Sequence, residues 1–282
     1  MIDVAREAGV SIATVSNVIN NRAGRVGEET VARVREAIKK LDFRPNAAAR
    51  QLKTGEMPML GLLVPSIANP FYSGFALELE QVARRQGFGL LLCNTRRDPK
   101  LELEYANALL DQGVRGVVLG AALRAQDGLP MLQDRGLALL GFDRYDTEGP
   151  PRLDSVSMDN FAAARMATEH LFALGHRRIA FFTGAVTSAN RVARLAGYRA
   201  ACEAQGVKPL VLEAQSETPF TEMQTLEIDA ALAEKLLSSE RRVSGVVTMN
   251  DIVAIGLLSF LHSRGRPVPA QLSVVGIDNI PL

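Results

Sequence analysis

The chain is poor in the residues that carry covalent and metal chemistry, with two cysteines and three histidines among 282 residues. Cys93 and Cys202 stand far apart in apolar stretches, with neither metal-ligand spacing nor a disulfide framework. Both read as small core residues in a reducing compartment. His170 and His176 lie at a helix end in HLFALGHRR and His262 ends another helix, places where histidine caps structure. No G-x-G-x-x-G, G-K-[ST] or G-x-S-x-G motif occurs, which removes the recognisable dinucleotide, phosphate-loop and serine-hydrolase chemistries. Long hydrophobic runs are missing too. Leu60–Val64 and Val117–Leu119 fall far short of the roughly 20 residues that a membrane-spanning helix needs. There is no basic start followed by an apolar stretch, so no secretory signal is read. These absences predict a soluble, cytoplasmic protein with no metal site, no cofactor and no catalytic residues.

What is present is ordinary globular material: 47% hydrophobic, 22% charged, and no low-complexity tract. A sizeable core is expected, and the length suits about two domains. The net charge of +1 hides an asymmetry. Residues 1–55 hold ten Lys/Arg against six Asp/Glu, while the remainder holds 22 against 25. A basic head on a slightly acidic body points toward nucleic acid at one end only.

The head reads as short helices. Residues 2–8 have helical apolar spacing, Gly9 breaks them, and Ser11 is placed to N-cap a second helix over 12–19. Residues 28–41 put Val31, Val34, Ile38 and Leu41 on one face, and Pro45 stops that helix. A helical run at 46–53 leads into the linker TGEMP. From residue 60, short apolar runs alternate with amphipathic stretches: LGLLV, LLLC, GVVL, ALLGF, SVSM, RIAFF, GVVT and SVVGI, with helices between most of them. That alternation predicts parallel sheets covered by helices. The break at TEGPPRLD (147–154) predicts two successive lobes, about 59–153 and about 154–282.

Two short helices joined by a glycine turn make a helix-turn-helix, whose second helix enters the major groove. Ala8, Val10, Val15 and Val18 should hold the pair together. Ser11, Ile12, Ala13, Thr14, Ser16, Asn17 and Asn20 are left outward, short groups suited to phosphates and base edges. DVAREAGVSIATVSNVINN (3–21) resembles the head of the lactose repressor family, in which AGVSxxTVSxVxN is highly specific. RVGEETVARVREAIKKLDFRPNAAARQL (25–52) resembles that family's third helix and hinge helix. NPFY, EHLFALGHRRIAFF, RLAGY, ND and SVVGID follow in the family's order.

The resemblance implies a helix-turn-helix head (1–45), a hinge helix and linker (46–58), and a two-lobed effector-binding body (59–282) like that of periplasmic binding proteins. There are three departures. The chain begins almost inside the first helix. Position 17 is Asn where members often have Arg, which shifts the expected base preference from guanine toward adenine or a water-mediated contact. The family's body continues past SVVGID, so its C-terminal part is expected to be missing here.

By the same resemblance the hinge helix lies in the minor groove, where Leu52 is the wedge that kinks the DNA, with Asn46 and Ala49 beside it. Two hinge helices are required, hence a homodimer or higher assembly on a palindromic double-stranded operator.

In open α/β sheets, ligands bind at the carboxyl ends of strands. Asn69, Asp143, Asn250, Asp251 and Asp278 each follow an apolar strand and should converge between the lobes. Asp251 is expected to cap the next helix; the others match effector positions of the family. The resemblance adds Arg194 as bidentate anchor, Phe71, Tyr72 and Phe220 as ring faces, and Met158 as an apolar contact. Asp143 and Asp278 against Arg194 leave surplus carboxylate, which favours a neutral polyol: a sugar, with a purine or other metabolite as second choice. The whole is read as an effector-controlled DNA-binding transcriptional regulator acting as a repressor. A free sugar-binding protein would lack the helix-turn-helix. An α/β enzyme would need a nucleophile, a phosphate loop or an acid/base pair, and none is identifiable.

Overall fold

Small aliphatic side chains build the head. The computed structural model describes residues 1–19, 26–43, 58–120, 128–143, 153–186, 188–214, 230–238 and 243–281. They fall into two units, 1–56 and 57–282. In the first, α1 (Ile2–Ala8) ends at Gly9, whose φ of 65° is a left-handed turn open to glycine at no steric cost. Ser11 then opens α2 (Ile12–Ile19), its Oγ accepting from the Thr14 amide at 3.1 Å. α3 (Glu28–Lys40) starts on two glutamates and ends on two lysines, each matched to the helix dipole.

Val4, Ala5, Ala8, Val15, Val18, Val34 and Ala37 fill the core, with Val10, Val31 and Ile38 at its margin. Leu41, which the sequence spacing puts on this face, is 41% exposed. The helix stops at Lys40 and Leu41 leaves helical geometry as its C-cap, so Ala37 takes the inner position. Lys40 Nζ bonds Glu7 at 2.6 Å and ties α3 to α1. That hydrogen bond holds the ammonium pKa above its ordinary value.

The second unit is an alternating α/β chain. Its elements are β1 (Met59–Val64), α4 (Pro70–Arg85), β2 (Gly89–Asn94), α5 (Pro99–Asp111), β3 (Gly116–Leu119), α6 (Leu129–Asp134), β4 (Ala138–Phe142) and β5 (Asp154–Val156). Then come α7 (Asn160–Ala173), β6 (Ile179–Thr183), α8 (Ala189–Ala204), β7 (Leu210–Glu213), α9 (Ala230–Ser238), β8 (Gly245–Thr248), α10 (Asp251–Ser263) and β9 (Ser273–Val275). They form two parallel sheets, ordered β2-β1-β3-β4-β5 and β7-β6-β8-β9.

Successive strand residues face opposite sides of a sheet. In the first sheet Leu63, Val117, Leu119 and Leu139 therefore fill one core while Leu62, Val64 and Val118 fill another. β6 and β8 are buried along their whole length, as central strands under helices on both faces must be.

Two readings need correction. Residues 154–156 do not open the second lobe; they pair in parallel with β4 (Leu140 beside Asp154, Phe142 beside Val156) and form the exposed edge of the first sheet. Three pairing residues suffice at an edge, so the crossover follows Val156. β7 went unanticipated: four residues after Pro209 give too short an alternation to read. It is fixed by Tyr198, whose hydroxyl bonds the Ile179 carbonyl oxygen at 2.9 Å and accepts from the Leu210 amide at 2.9 Å.

Candidate functional site

On the head, Ser11, Ile12 and Ala13 are exposed and Thr14, Ser16 and Asn17 half-buried along α2. Together they form a ridge of small groups at the N-terminal end of the second helix of the motif. Ser11 also caps that helix, so its hydroxyl holds the ridge in shape. Asn20, Asn46, Ala49, Leu52 and Phe220 lie outside the described residues.

In the body, polar groups gather at strand ends and helix starts around an open cleft. From the first lobe come Asn69, Phe71, Tyr72, Arg97 and Asp143. From the second come Ser188, Asn190, Arg191, Arg194, Met249, Asn250 and Asp278. Arg194, on the inner face of α8, is only 6% exposed. Its three nitrogens are all engaged: Nε donates to Asn160 Oδ1 at 2.7 Å, Nη1 to the Met249 carbonyl oxygen at 2.5 Å, and Nη2 to Asp278 Oδ1 at 3.1 Å. Asn160 donates in turn to Asp143 Oδ1 at 2.9 Å, and Asn190 to Asp143 Oδ2 at 2.8 Å. The buried network thus runs from Asp278 through Arg194 and Asn160 to Asp143, joining residues after β9 and β4.

Asp143 and Asp278 both have left-handed backbone, at φ 50° and 131°, where a side chain is rarely tolerated. Such strain persists where the surroundings fix it and clusters at working sites. Burial pushes the Asp278 carboxyl up to about 6, against the opposing pull of Arg194 and with help from Asp251 and Asp143.

Of the effector residues expected from sequence, Asn69, Phe71, Tyr72, Asp143, Arg194, Asn250 and Asp278 line this one cleft. Met158 does not. Its side chain is exposed, and its contribution is a backbone carbonyl that accepts from Asn160. The helix cap expected at Asp251 belongs to Asn250, whose Oδ1 accepts from the Val253 amide at 3.0 Å. Asp251 instead anchors the segment after β9 by accepting from the Ile280 amide at 3.0 Å. Asn69 also caps, accepting from the Phe71 amide at 3.0 Å. The carboxylate surplus does not hold either. Arg97 and Arg191 line the cleft as well, so its lining counts three arginines against two aspartates. Arg97 was within reach of the strand-end rule, since it follows β2. Asn160 and Asn190 carried no such signal.

Residues 1–46 match the sequence model of the bacterial regulatory proteins of the lacI family. Residues 57–280 match that of periplasmic binding proteins and the sugar-binding domain of the LacI family. The chain belongs to the LacI family. The ribose operon repressor of Halalkalibacterium halodurans is 34% identical over 99% of this chain and 80% of its own length. The crystal structure of the lac repressor dimer bound to operator and the anti-inducer ONPF is 25% identical, with a TM-score of 0.79 over 97% of this chain and 80% of that one. A LacI family transcriptional regulator from Enterococcus faecium with bound ribose is 28% identical, with a TM-score of 0.66 over 79% of this chain and 78% of that one. As a LacI-family member the chain is an effector-controlled, DNA-binding transcriptional regulator and not an enzyme. Among its described residues no helix is long and apolar enough to cross a membrane.

Proposed function

We propose that the cleft is the effector site of a cytoplasmic repressor and that its effector is a sugar. The observation that carries this reading is the buried network around Arg194, which presents carboxylate, amide and guanidinium groups to a common space. Sugar hydroxyls both donate and accept, so they match alternating donors and acceptors. The half-buried Phe71 ring lies 5.3 Å from Tyr72 and offers an apolar face for ring carbons. One relative is a ribose operon repressor and one similar structure holds ribose. These support a sugar ahead of a purine, now that the charge balance no longer argues for it.

The head (1–45) and the hinge and linker (46–58) then act as a homodimer on a palindromic operator, with Leu52 as the minor-groove wedge and the body (59–282) as sensor. The lac repressor comparison, a dimer on operator DNA, supports this arrangement. The test is a thermal-shift panel of pentoses, hexoses and nucleosides on the chain and on Arg194→Lys. The lysine cannot reproduce three fixed donors, and losing a charged hydrogen bond costs about 1.5–3 kcal/mol, roughly 10- to 150-fold in affinity. A sugar that stabilises the chain and loses that effect in Arg194→Lys supports the reading. No response to any sugar, or an equal response in the variant, overturns it.

A further inference from the structure

The second lobe carries a pocket at the end away from the cleft. Its four strands run parallel, so their carboxyl ends face the cleft and their amino ends open on the opposite side. There Ile179, Val207, Leu210 and Val243 surround a space of about 160 Å³ at the starts of β6, β7 and β8. A space of this size holds a group of about the volume of a benzene ring. Arg178 and Lys208 complete the lining, and no carboxylate lines it among the described residues.

The walls are held in place by the fold. The Tyr198 hydroxyl joins the two strands that begin there, donating to the Ile179 carbonyl oxygen and accepting from the Leu210 amide, both at 2.9 Å. The Ser244 amide donates to the Arg178 carbonyl oxygen at 3.0 Å, which fixes the chain beside Val243. The Val207 amide donates to the Cys202 carbonyl oxygen at 2.9 Å. A pocket pinned on three sides needs little ordering to accept a ligand, so less of the contact energy is lost on binding.

The two cations are not used by the fold. Arg178 and Lys208 are exposed, and their side chains make no hydrogen bond or ion pair with any described residue. Arg177 beside them is committed elsewhere, donating to the Phe172 and His176 carbonyl oxygens. Aliphatic walls under a rim of free positive charge match an apolar body with an anionic head. A sugar would bury hydroxyls against four aliphatic side chains that cannot bond them, at a cost in free energy.

We propose that this pocket is a second ligand site, separate from the cleft, and that it takes a small apolar carboxylate of about the size of benzoate. The ring or branched chain sits among Ile179, Val207, Leu210 and Val243, and the carboxylate lies between Arg178 and Lys208. The limited space excludes a long acyl chain. Because both cations are exposed, water screens their pull, and the apolar walls must supply a good part of the affinity.

Ligand-observed NMR titration of the 282-residue chain with benzoate, benzamide and acetate tests it, repeated on the double variant Arg178→Gln/Lys208→Gln and on Arg194→Lys. Benzoate should bind with a Kd of about 10 mM or tighter, the weak limit for a ligand of about nine heavy atoms. Benzamide keeps the ring without the charge and acetate keeps the charge without the ring, so each should bind at least about threefold more weakly. Added salt should shrink the advantage of benzoate over benzamide. The double variant replaces exposed side chains and keeps the fold; it should bind benzoate no better than benzamide. Arg194→Lys alters the cleft alone and should bind benzoate as the unaltered chain does. No benzoate binding at about 10 mM, acetate or benzamide binding as tightly as benzoate, or benzoate affinity that survives the double substitution overturns the site. Loss of benzoate binding in Arg194→Lys overturns it too, because the acid then occupies the cleft.

Discussion

Replacing Asp278 with asparagine removes a charge that the fold holds against its own stability. The side chain is 6% exposed and its partner Arg194 is 3.1 Å away, yet burial outweighs that partner and lifts the carboxyl from 3.8 to about 6. An acid whose folded pKa lies above its unfolded one binds its proton more tightly in the folded chain. Its stabilising contribution is complete below about pH 4 and is lost as pH rises through about 6. The shift is about 2 units at 1.36 kcal/mol each, so the ionised carboxylate costs the folded chain about 3 kcal/mol at pH 8.

Asparagine resembles the protonated acid: its oxygen still accepts from Arg194 but brings no charge to desolvate. Ligand-free Asp278→Asn should therefore melt higher than the unaltered chain at pH 8, by about 6–12 °C at the 2–4 °C per kcal/mol typical of a body this large. The gap should narrow by about half between pH 8 and pH 5 and close below about pH 4. Scanning calorimetry at pH 4, 5, 6 and 8 reads it directly. The reasoning is refuted if the variant melts lower than the unaltered chain at pH 8, or if the two curves run parallel across the range. The variant should also bind effector about 10- to 150-fold more weakly, since its amide accepts fewer hydroxyl bonds than a carboxylate.

Gly197→Ala should destabilise the body by about 1–3 kcal/mol, because a Cβ there would press on the Phe161 carbonyl oxygen, backbone that cannot swing aside. It should also weaken effector binding, since separating α7 from α8 stretches the Arg194–Asn160 bond; an unchanged melting temperature would contradict this. Ser11→Ala removes the cap of α2 and should cost the head about 1 kcal/mol, seen as reduced operator affinity and a lower head melting transition. Asn17→Arg should move base preference at its contact from adenine toward guanine in an operator library, with about 1–3 kcal/mol of discrimination. An identical preference would remove Asn17 from the base-reading set.

The elements with strong periodicity were legible before any coordinates. α1 and α2 run over the residues their apolar spacing marks, and β1, β3, β4, β6 and β8 sit on the aliphatic runs. Strand-end polarity then located Asp143, Asn250 and Asp278 on the cleft. What escaped reading depends on tertiary contact. β7 is an edge strand of four residues, identified only by the neighbour it pairs with, and β5, legible as the SVSM run, is assigned to the first sheet only by its pairing with β4. Asn160 and Asn190 are helix-start asparagines whose second partner, Asp143, is 17 and 47 residues away. Arg97 was passed over because a charged residue in a loop usually has a solvated face. Its left-handed backbone is a property of structure, not composition.

The central claim is that a ligand in the cleft sets the affinity of the head for DNA. Fluorescence anisotropy of a labelled duplex from the region upstream of the chain's own gene tests it. Binding is measured across a salt series, then with pentoses, hexoses and nucleosides titrated in. Affinity should fall steeply with salt, because the basic head displaces phosphate counterions. At least one of these ligands should change operator affinity by about 5- to 150-fold, a coupling of 1–3 kcal/mol, and Arg194→Lys should lose that response. A ligand that binds the chain and leaves operator affinity unchanged would contradict the account, as would an undiminished response in Arg194→Lys.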